Sequence, residues 1–243
     1  MADNRRLKHR YPVLVGNFTA TIRLEGRSNV EGVVATRHQM PERVSVEEAI
    51  TRVSRGVQPA LIAIDGLPCS GKGTLVAKLK QRVDLDCIEL DDFVLPEEHW
   101  PSRDQPAFPF QFIRYDAFVD SVKTLAATGR CSYQPFDWNT LSTSEDRREV
   151  RLTKPIVIEG VSALNPALCD LYGLKIFVES DRSTVFQAAL RRGDGAWERE
   201  WRELFLPSVD IYMLTRPERR ADVLVPGRGI GSRYGSVVAR SST

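Results

Sequence analysis

The chemistry of this chain is most directly implied by one stretch, GLPCSGKGT at residues 66–74. Its spacing fits the P-loop pattern G-x-x-x-x-G-K, in which backbone N–H groups wrap a phosphate and the lysine follows the β and γ oxygens. The apolar run ALIAI precedes it and the helical segment TLVAKL follows it, which is the context that such a loop requires. A glycine turn that happens to contain a lysine is the alternative. The predicted nucleotide contacts are Gly66, Cys69, Ser70, Gly71, Lys72, Gly73 and Thr74.

The loop departs from its usual pattern at Gly73, where a serine or threonine hydroxyl normally binds Mg²⁺. The hydroxyl comes one residue later, at Thr74. The ion must therefore depend on carboxylates and water, and carboxylates follow two apolar runs, Asp91 and Asp92 in CIELDDF and Glu159 in PIVIEG. Ligands gather at the carboxyl ends of parallel strands, so these acids should converge with the loop. We predict that Asp91, Glu159 and Thr74 hold Mg²⁺.

This set of residues is suited to phosphoryl transfer from ATP. A carboxylate near the γ-phosphate, Asp91, can accept the proton of an attacking hydroxyl, while Lys72, Mg²⁺ and arginines neutralise the transferred group. The predicted activity is therefore that of an ATP-dependent kinase with an alcohol acceptor. The simpler interpretation of Asp91 and Asp92 is a turn-forming pair that caps the next segment. A non-catalytic nucleotide switch, in which the acids are idle, is a further alternative.

Short apolar runs separated by helical segments predict an α/β domain around a parallel sheet. The runs are apolar on both faces, as strands covered by helices on each side are: ALIAI, CIEL, PIVIEG, LKIFVES and ADVLVPG. Crossover helices are predicted in TLVAKLKQRV, YDAFVDSVKTLAATG and STVFQAALRR. We expect a three-layer sandwich over residues 45–243, with the P-loop strand in the centre of the sheet and a movable lid.

The first 44 residues are predicted to form a small β-rich extension. Residues 11–37 alternate apolar with polar positions between glycine and asparagine punctuation, a pattern typical of two or three short antiparallel strands. A helix should follow in SVEEAITRVSRG, with Ser45 as its N-cap, Glu48 completing a capping box and Gly56 at its end.

Composition narrows the classes of function. The 34 basic and 32 acidic residues leave a net charge of +2, which is far from a generally basic nucleic-acid coat. The 4 cysteines are far apart without a C-x-x-C pair, so neither a zinc knuckle nor a disulfide framework is indicated. No apolar run has signal-peptide character or approaches the ~18 residues of a membrane span. We expect a cytoplasmic protein with no membrane partner, and its oligomeric state stays open.

Five motifs in the same order resemble the uridine kinase family of P-loop kinases, with its phosphoribulokinase and pantothenate kinase relatives. They are the P-loop, LDDFVLP, YQPFDW, VIEG and RADVLVPG, and the resemblance spans roughly residues 61–229. It implies a general base at Asp91, an Mg²⁺-holding acid at Glu159 and an adenine pocket lined by RADVLVPGRG. The ending GKGT is more similar to adenylate kinases, over the loop alone.

The stretch LRRGDGAWEREWRELF resembles the mobile lid of the same family. The resemblance implies that Arg191 and Arg192 reach the phosphates and act in catalysis, with Arg199 as a further candidate. An amphipathic helix with solvated arginines is the alternative.

The acceptor half departs from the family pattern. Uridine kinases have an Asp that grips the ribose hydroxyls where QFIRYDAF has Ile113, with Arg114 beside it. Trp138 aligns approximately with the family's base-contacting His and can stack on a flat ring. We predict that Asp92, Arg114, Tyr133 and Trp138 contact the acceptor, with core packing as an equal alternative for the two aromatic residues.

A small nucleoside-like molecule is the leading hypothesis for the acceptor, and a small non-nucleoside alcohol stays open. A hydroxyl on a polymer is the third hypothesis: a DNA kinase for 5-hydroxymethyl pyrimidines of phage type, because deoxyribose has no 2′-hydroxyl to grip. Arg114 and the basic N-terminus could then contact a phosphate backbone. Salt-sensitive DNA binding that depends on Arg5, Arg6, Lys8 and Arg10 would follow.

Overall fold

The computed structural model describes residues 40–56, 60–192 and 197–230. The strands predicted in residues 11–37 lie outside these ranges, so the β-rich extension stays a prediction. Within the described ranges, no helix has the length and apolar character needed to cross a membrane.

A parallel sheet of six strands forms the centre of the described fold, in the order β1-β10-β9-β2-β8-β3. The P-loop strand β2 is flanked on both sides, as predicted for a central strand. The strands are β1 (Glu42–Arg43), β2 (Leu61–Gly66), β3 (Asp86–Glu89), β8 (Ile156–Glu159), β9 (Leu174–Glu179) and β10 (Val223–Pro226).

Two short antiparallel pairs interrupt the chain between β3 and β8. Strand β4 (Arg130–Tyr133) pairs with β7 (Arg148–Arg151), and β5 (Phe136–Asp137) pairs with β6 (Ser142–Thr143). The β5–β6 hairpin carries Trp138 in its turn.

The helices follow the predicted crossover segments. They are α1 (Val46–Arg55), α2 (Lys72–Lys80), α3 (Tyr115–Thr128), α4 (Arg182–Arg192), α5 (Glu198–Glu200) and α6 (Leu206–Met213). A π-helical turn, Trp201–Phe205, joins α5 to α6, and a 3₁₀ turn at Leu90–Phe93 follows β3.

The sheet is buried on both faces, which is why its strands are almost continuously apolar. In β2, Leu61 and Ala63 belong to one buried cluster with α3 and α6, whereas Ile62 and Ile64 belong to a second cluster with α1 and α2. This is the predicted three-layer α/β sandwich.

Helix α1 begins as predicted, because the Ser45 hydroxyl accepts the Glu48 N–H at 3.1 Å. The Glu48 carboxylate accepts from Arg52 at 3.0 Å, so the helix is supported by an i, i+4 pair. Just before it, β1 pairs in parallel with β10. Residues 42 and 43 of the predicted extension are therefore part of the main sheet.

Candidate active site

The P-loop joins the end of β2 to the beginning of α2. Gly66 has φ +148°, and a Cβ there would lie 2.7 Å from the Val178 carbonyl oxygen, so the close approach of β9 requires glycine. A Cβ at Gly71 or Gly73 would meet no atom within 4 Å. The beginning of α2, where backbone N–H groups have no helical partner, therefore lies beside open space that fits phosphate groups.

Lys72 is held inside this loop by two oxygens. Its Nζ donates to the Leu67 carbonyl at 3.0 Å and lies 3.5 Å from Oε1 of Glu159. Glu159 ends β8, directly beside Ile64 of the P-loop strand. Burial raises the pKa of Glu159, and the Lys72 ammonium opposes that rise. Sequence reasoning predicted this convergence of Lys72 with Glu159.

A third carboxylate, Glu89, was missed by the sequence analysis. Glu89 ends β3 and lies opposite Glu159 in the sheet register. Burial raises the pKa of Glu89, and the negative charges of Asp92 and Asp91 add to the rise. The signal was present in the sequence, because Glu89 is the strand-end acid of CIEL, two residues before Asp91.

Asp91 lies in the 3₁₀ turn after β3, with its side chain exposed. The turn packs against the end of β8, where Gly160 has φ +154° and a Cβ would lie 2.4 Å from the Leu90 Cβ. Asp91 and Glu159 are close enough for the Asp91 charge to raise the pKa of Glu159. The beginning of α2, the end of β8 and the turn after β3 therefore bring Lys72, Glu159 and Asp91 to the same edge of the sheet.

The donor set fits a nucleotide-bound Mg²⁺ better than a metal held by protein alone. Within the described ranges, no three metal-binding side chains form a cluster. Magnesium usually keeps several waters and binds one or two carboxylates together with substrate phosphates, which Asp91 and Glu159 could supply. Thr74, the predicted hydroxyl ligand, is exposed in the first turn of α2.

Three predicted acceptor contacts are engaged within the protein. Oδ2 of Asp92 accepts from the Tyr133 hydroxyl at 2.7 Å and from Arg148 at 3.1 Å. Arg114 donates to the carbonyls of Asp92 and Gln134, at 2.9 and 2.6 Å. These hydrogen bonds hold the segment that carries Asp91 in place. They do not indicate a contact with the acceptor.

The aromatic candidates differ in exposure. Tyr133 is buried and stacks on Phe93 with 4.6 Å between ring centroids, as the core-packing alternative expects. Trp138 is 51% exposed and meets Phe136 edge-on at 4.9 Å. Only Trp138 of these two offers an open ring face.

The predicted lid lies partly outside the described residues. Arg191 is exposed at the end of α4, and the side chain of Arg192 is outside the description. Arg199 is exposed in α5 and lies 3.6 Å from Glu203. The proposed phosphate contacts of these arginines stay predictions.

Residues 197–200, in the predicted lid, contact the segment that follows Asp91. Trp197 donates from Nε1 to Glu97 at 3.0 Å, and its ring packs edge-on against Trp100 at 5.5 Å. Arg103 forms an ion pair with Glu200. These contacts fix residues 197–200 to the chain beside the candidate base.

A cavity of about 500 Å³ lies beside the P-loop, and none of the residues predicted to line the adenine pocket, 220–229, belongs to its lining. Its lining includes Leu67, Phe177 and Ser180, and Ile230 of the segment after β10. Its lining also carries the charged residues Arg43, Glu179 and Glu218, so the cavity is half polar.

Asp65 is a buried acid that the sequence analysis also missed. It is 0% exposed at the end of β2 and accepts the Gly66 N–H at 2.6 Å, the Leu164 N–H at 2.8 Å and the Tyr212 hydroxyl at 2.5 Å. Burial raises the pKa of Asp65, and these donors oppose the rise. It links the P-loop strand to α6.

Comparisons with known proteins give matches among solved structures. No protein-family model matches the chain, and no curated protein sequence matches it significantly. A possible uridine kinase from Bacillus stearothermophilus is similar, with a TM-score of 0.56 and 19% identity, over 74% of this chain and 98% of that one.

Two further structures show the same fold. A candidate fructose transport system kinase from Silicibacter sp. TM1040 has a TM-score of 0.53 and 18% identity, over 75% of this chain and 98% of that one. A candidate P-loop kinase with a circular permutation, from Saccharomyces cerevisiae, has a TM-score of 0.51 and 11% identity, over 76% and 99%. The chain has the fold of these P-loop kinases, which confirms the predicted resemblance to uridine kinase-like proteins at the level of the fold.

Proposed function

We propose that this chain is an ATP-dependent kinase that transfers the γ-phosphoryl group to a hydroxyl of a small acceptor. The observation that carries this proposal is the ion pair of Lys72, at the beginning of α2, with Glu159, at the end of β8, beside the turn after β3 that carries Asp91. The P-loop kinase fold of the solved structures supports it.

Each residue has a distinct part in the proposed reaction. The N–H groups of the P-loop and the beginning of α2 bind the phosphates, and Lys72 neutralises the charge on the transferred group. Asp91 is exposed and can accept the proton of the acceptor hydroxyl. Mg²⁺, when bound with ATP, would neutralise charge on the phosphates, and Glu159 is positioned to hold it.

In the proposed reaction, the closed lid excludes water from the site. Arg191, Arg192 and Arg199 belong to the segments from α4 to α5, and in the proposed closed state their guanidinium groups would add charge at the phosphates. Because α5 is joined to residues 97–103, closure would also act on the segment that follows Asp91.

A nucleoside-like acceptor without a ribose diol is the finer proposal. Ile113 is 6% exposed and cannot hydrogen-bond a diol, while the exposed ring of Trp138 can stack on a flat base. One argument for DNA as the acceptor was a contact of Arg114 with the phosphate backbone. This argument is weakened, because Arg114 is half-buried and donates to two backbone carbonyls of the protein. The other argument for DNA, the basic segment at residues 5–10, lies outside the described ranges.

Transfer of labelled γ-phosphate tests the function and the acceptor class together. Purified protein is incubated with ATP and Mg²⁺ in separate reactions. The acceptors are ribonucleosides, deoxyribonucleosides, small alcohols, and DNA that contains 5-hydroxymethyl pyrimidines. Label in deoxyribonucleosides is expected, and its loss in Asp91→Asn ties it to this site. ATP binding without transfer to any pool would contradict a kinase and favour a nucleotide switch.

A further inference from the structure

The turn after β10 holds the backbone of the P-loop. The N–H of Arg228 donates to the Ser70 carbonyl at 2.9 Å, and its side-chain Nε donates to the Cys69 carbonyl at 2.9 Å. The Ser180 hydroxyl also donates to the Ser70 carbonyl, at 3.4 Å. One residue of the turn therefore binds two successive carbonyls of the P-loop.

The turn itself is fixed in place. A Cβ at Gly227 would lie 2.6 Å from the Ser70 carbonyl oxygen and 2.4 Å from Oγ of Ser180, so only glycine allows this approach. The Gly227 N–H donates to the Glu179 carbonyl at 2.6 Å, and the Asp181 N–H donates to the Arg228 carbonyl at 2.9 Å. The backbone of Arg228 is thus anchored from both sides.

Cys69 needs such support. Its φ is +54°, in the left-handed region that is costly for a residue with a Cβ. The N–H and C=O of a trans peptide group point in opposite directions. Holding the carbonyls of Cys69 and Ser70 toward the turn therefore directs the N–H groups of Ser70 and Gly71 away from it. The Ser70 N–H donates to the Leu67 carbonyl at 3.2 Å, which closes the loop on itself and leaves the Gly71 N–H for a phosphate.

We propose that Arg228 is a positioning residue that keeps the P-loop in its phosphate-binding conformation. It acts through the carbonyls of Cys69 and Ser70 and offsets the strain at Cys69, so the Nε donor matters rather than the positive charge. This inference rests on the proposed function, because it assumes that the phosphates of ATP lie against the Gly71 N–H and the N–H groups that follow it at the beginning of α2.

Calorimetric titration with inorganic tripolyphosphate and with ATP and Mg²⁺ tests this proposal. Arg228→Ala should weaken tripolyphosphate binding about tenfold, since it removes one charge-assisted hydrogen bond. Arg228→Lys should weaken it as much, because lysine keeps the charge without the Nε donor. The exposed Arg219, changed to alanine, is the matched control and should bind normally.

A rescue variant separates positioning from direct phosphate contact. Glycine adopts a positive φ without strain, so Cys69→Gly added to Arg228→Ala should restore affinity to within about threefold of the unsubstituted protein. Melting temperatures should differ by only about 2–4 °C, because one hydrogen bond is lost while the backbone bonds of the turn remain.

Three outcomes would overturn the inference alone: unchanged affinity in Arg228→Ala, full affinity in Arg228→Lys, or no rescue by Cys69→Gly. If the unsubstituted protein bound neither ATP nor tripolyphosphate, the proposed function itself would be overturned, and this inference with it.

Discussion

Lys72, the first residue of α2, forms an ion pair with Glu159, the last residue of β8, with 3.5 Å between Nζ and Oε1 and only 8% and 14% of their side chains exposed. The pair keeps the ammonium group beside the P-loop. Phosphate oxygens that entered the loop would compete with Glu159 for this ammonium, and the carboxylate would then be free for Mg²⁺ or its waters. Both members should therefore matter to the reaction.

Lys72→Met should lower kcat for phosphoryl transfer by about 100- to 1,000-fold, because it removes a preorganised charge from the transferred group. Lys78, an exposed lysine of the same helix, provides the control, and Lys78→Met should transfer normally. Steady-state transfer assays with labelled ATP measure both. Equal rates in the two variants would exclude Lys72 from the reaction.

The adjacent acids Asp91 and Asp92 should separate catalysis from stability. Asp91→Asn should lower kcat by about 100- to 10,000-fold with ATP affinity retained, because it removes a general base whose side chain is exposed. Asp92→Asn should instead lower the free energy of unfolding by about 1–3 kcal/mol, because it disturbs the bonds to Tyr133 and Arg148.

Urea unfolding and single-turnover transfer, applied to both variants, give the two readouts. A large loss of kcat in Asp92→Asn at full stability would assign the base to Asp92 and contradict the present assignment.

The sequence predicted the sheet because burial on both faces is a local property of each strand. Runs such as ALIAI and PIVIEG must be covered by helices wherever they lie, and the acid that ends PIVIEG, Glu159, then reaches the P-loop through strand order. The approach of Glu159 to Lys72, which begins the helix after the P-loop strand, could therefore be predicted from the sequence.

Side-chain networks could not be predicted in the same way. Asp92, Arg114 and Tyr133 have residue types suited to an acceptor, but their hydrogen bonds depend on tertiary partners such as Arg148, far along the chain. The role of Asp65 could not be predicted either, because one acid in an apolar strand gives no indication of which donors will surround it.

Gly73→Ser should reduce the Mg²⁺ concentration needed for half-maximal activity by about fivefold. The variant adds a hydroxyl at the usual ligand position, and such a ligand is worth about 1 kcal/mol if it behaves as one new hydrogen bond. Space is available, because a Cβ at Gly73 meets no atom within 4 Å.

Magnesium titration of transfer activity measures this effect, with Ala77→Ser, at an exposed position of the same helix, as the control. A loss of activity in Gly73→Ser would instead mean that the phosphates approach the backbone at this position.

Tyr212→Phe should destabilise the protein in a pH-dependent way. The Tyr212 hydroxyl is 2.5 Å from Oδ2 of Asp65, and its removal takes away a donor that holds the raised pKa of Asp65 down. An acid with a raised pKa binds more protons in the folded state than in the unfolded one. Its contribution to stability therefore falls as the pH rises from the pKa of the unfolded state through the raised pKa of the folded state. The variant raises that pKa further.

The loss of unfolding free energy in Tyr212→Phe should therefore be largest, about 1.5–3 kcal/mol, where the folded state holds Asp65 ionised, and should shrink as acid protonates it. Urea unfolding at about pH 8 and about pH 5 measures the difference. Tyr172 is the matched control, because its buried hydroxyl has no hydrogen-bond partner among the described residues, so Tyr172→Phe should cost little at either pH. An equal loss at both pH values in Tyr212→Phe would mean that the hydroxyl does not act through the Asp65 carboxylate.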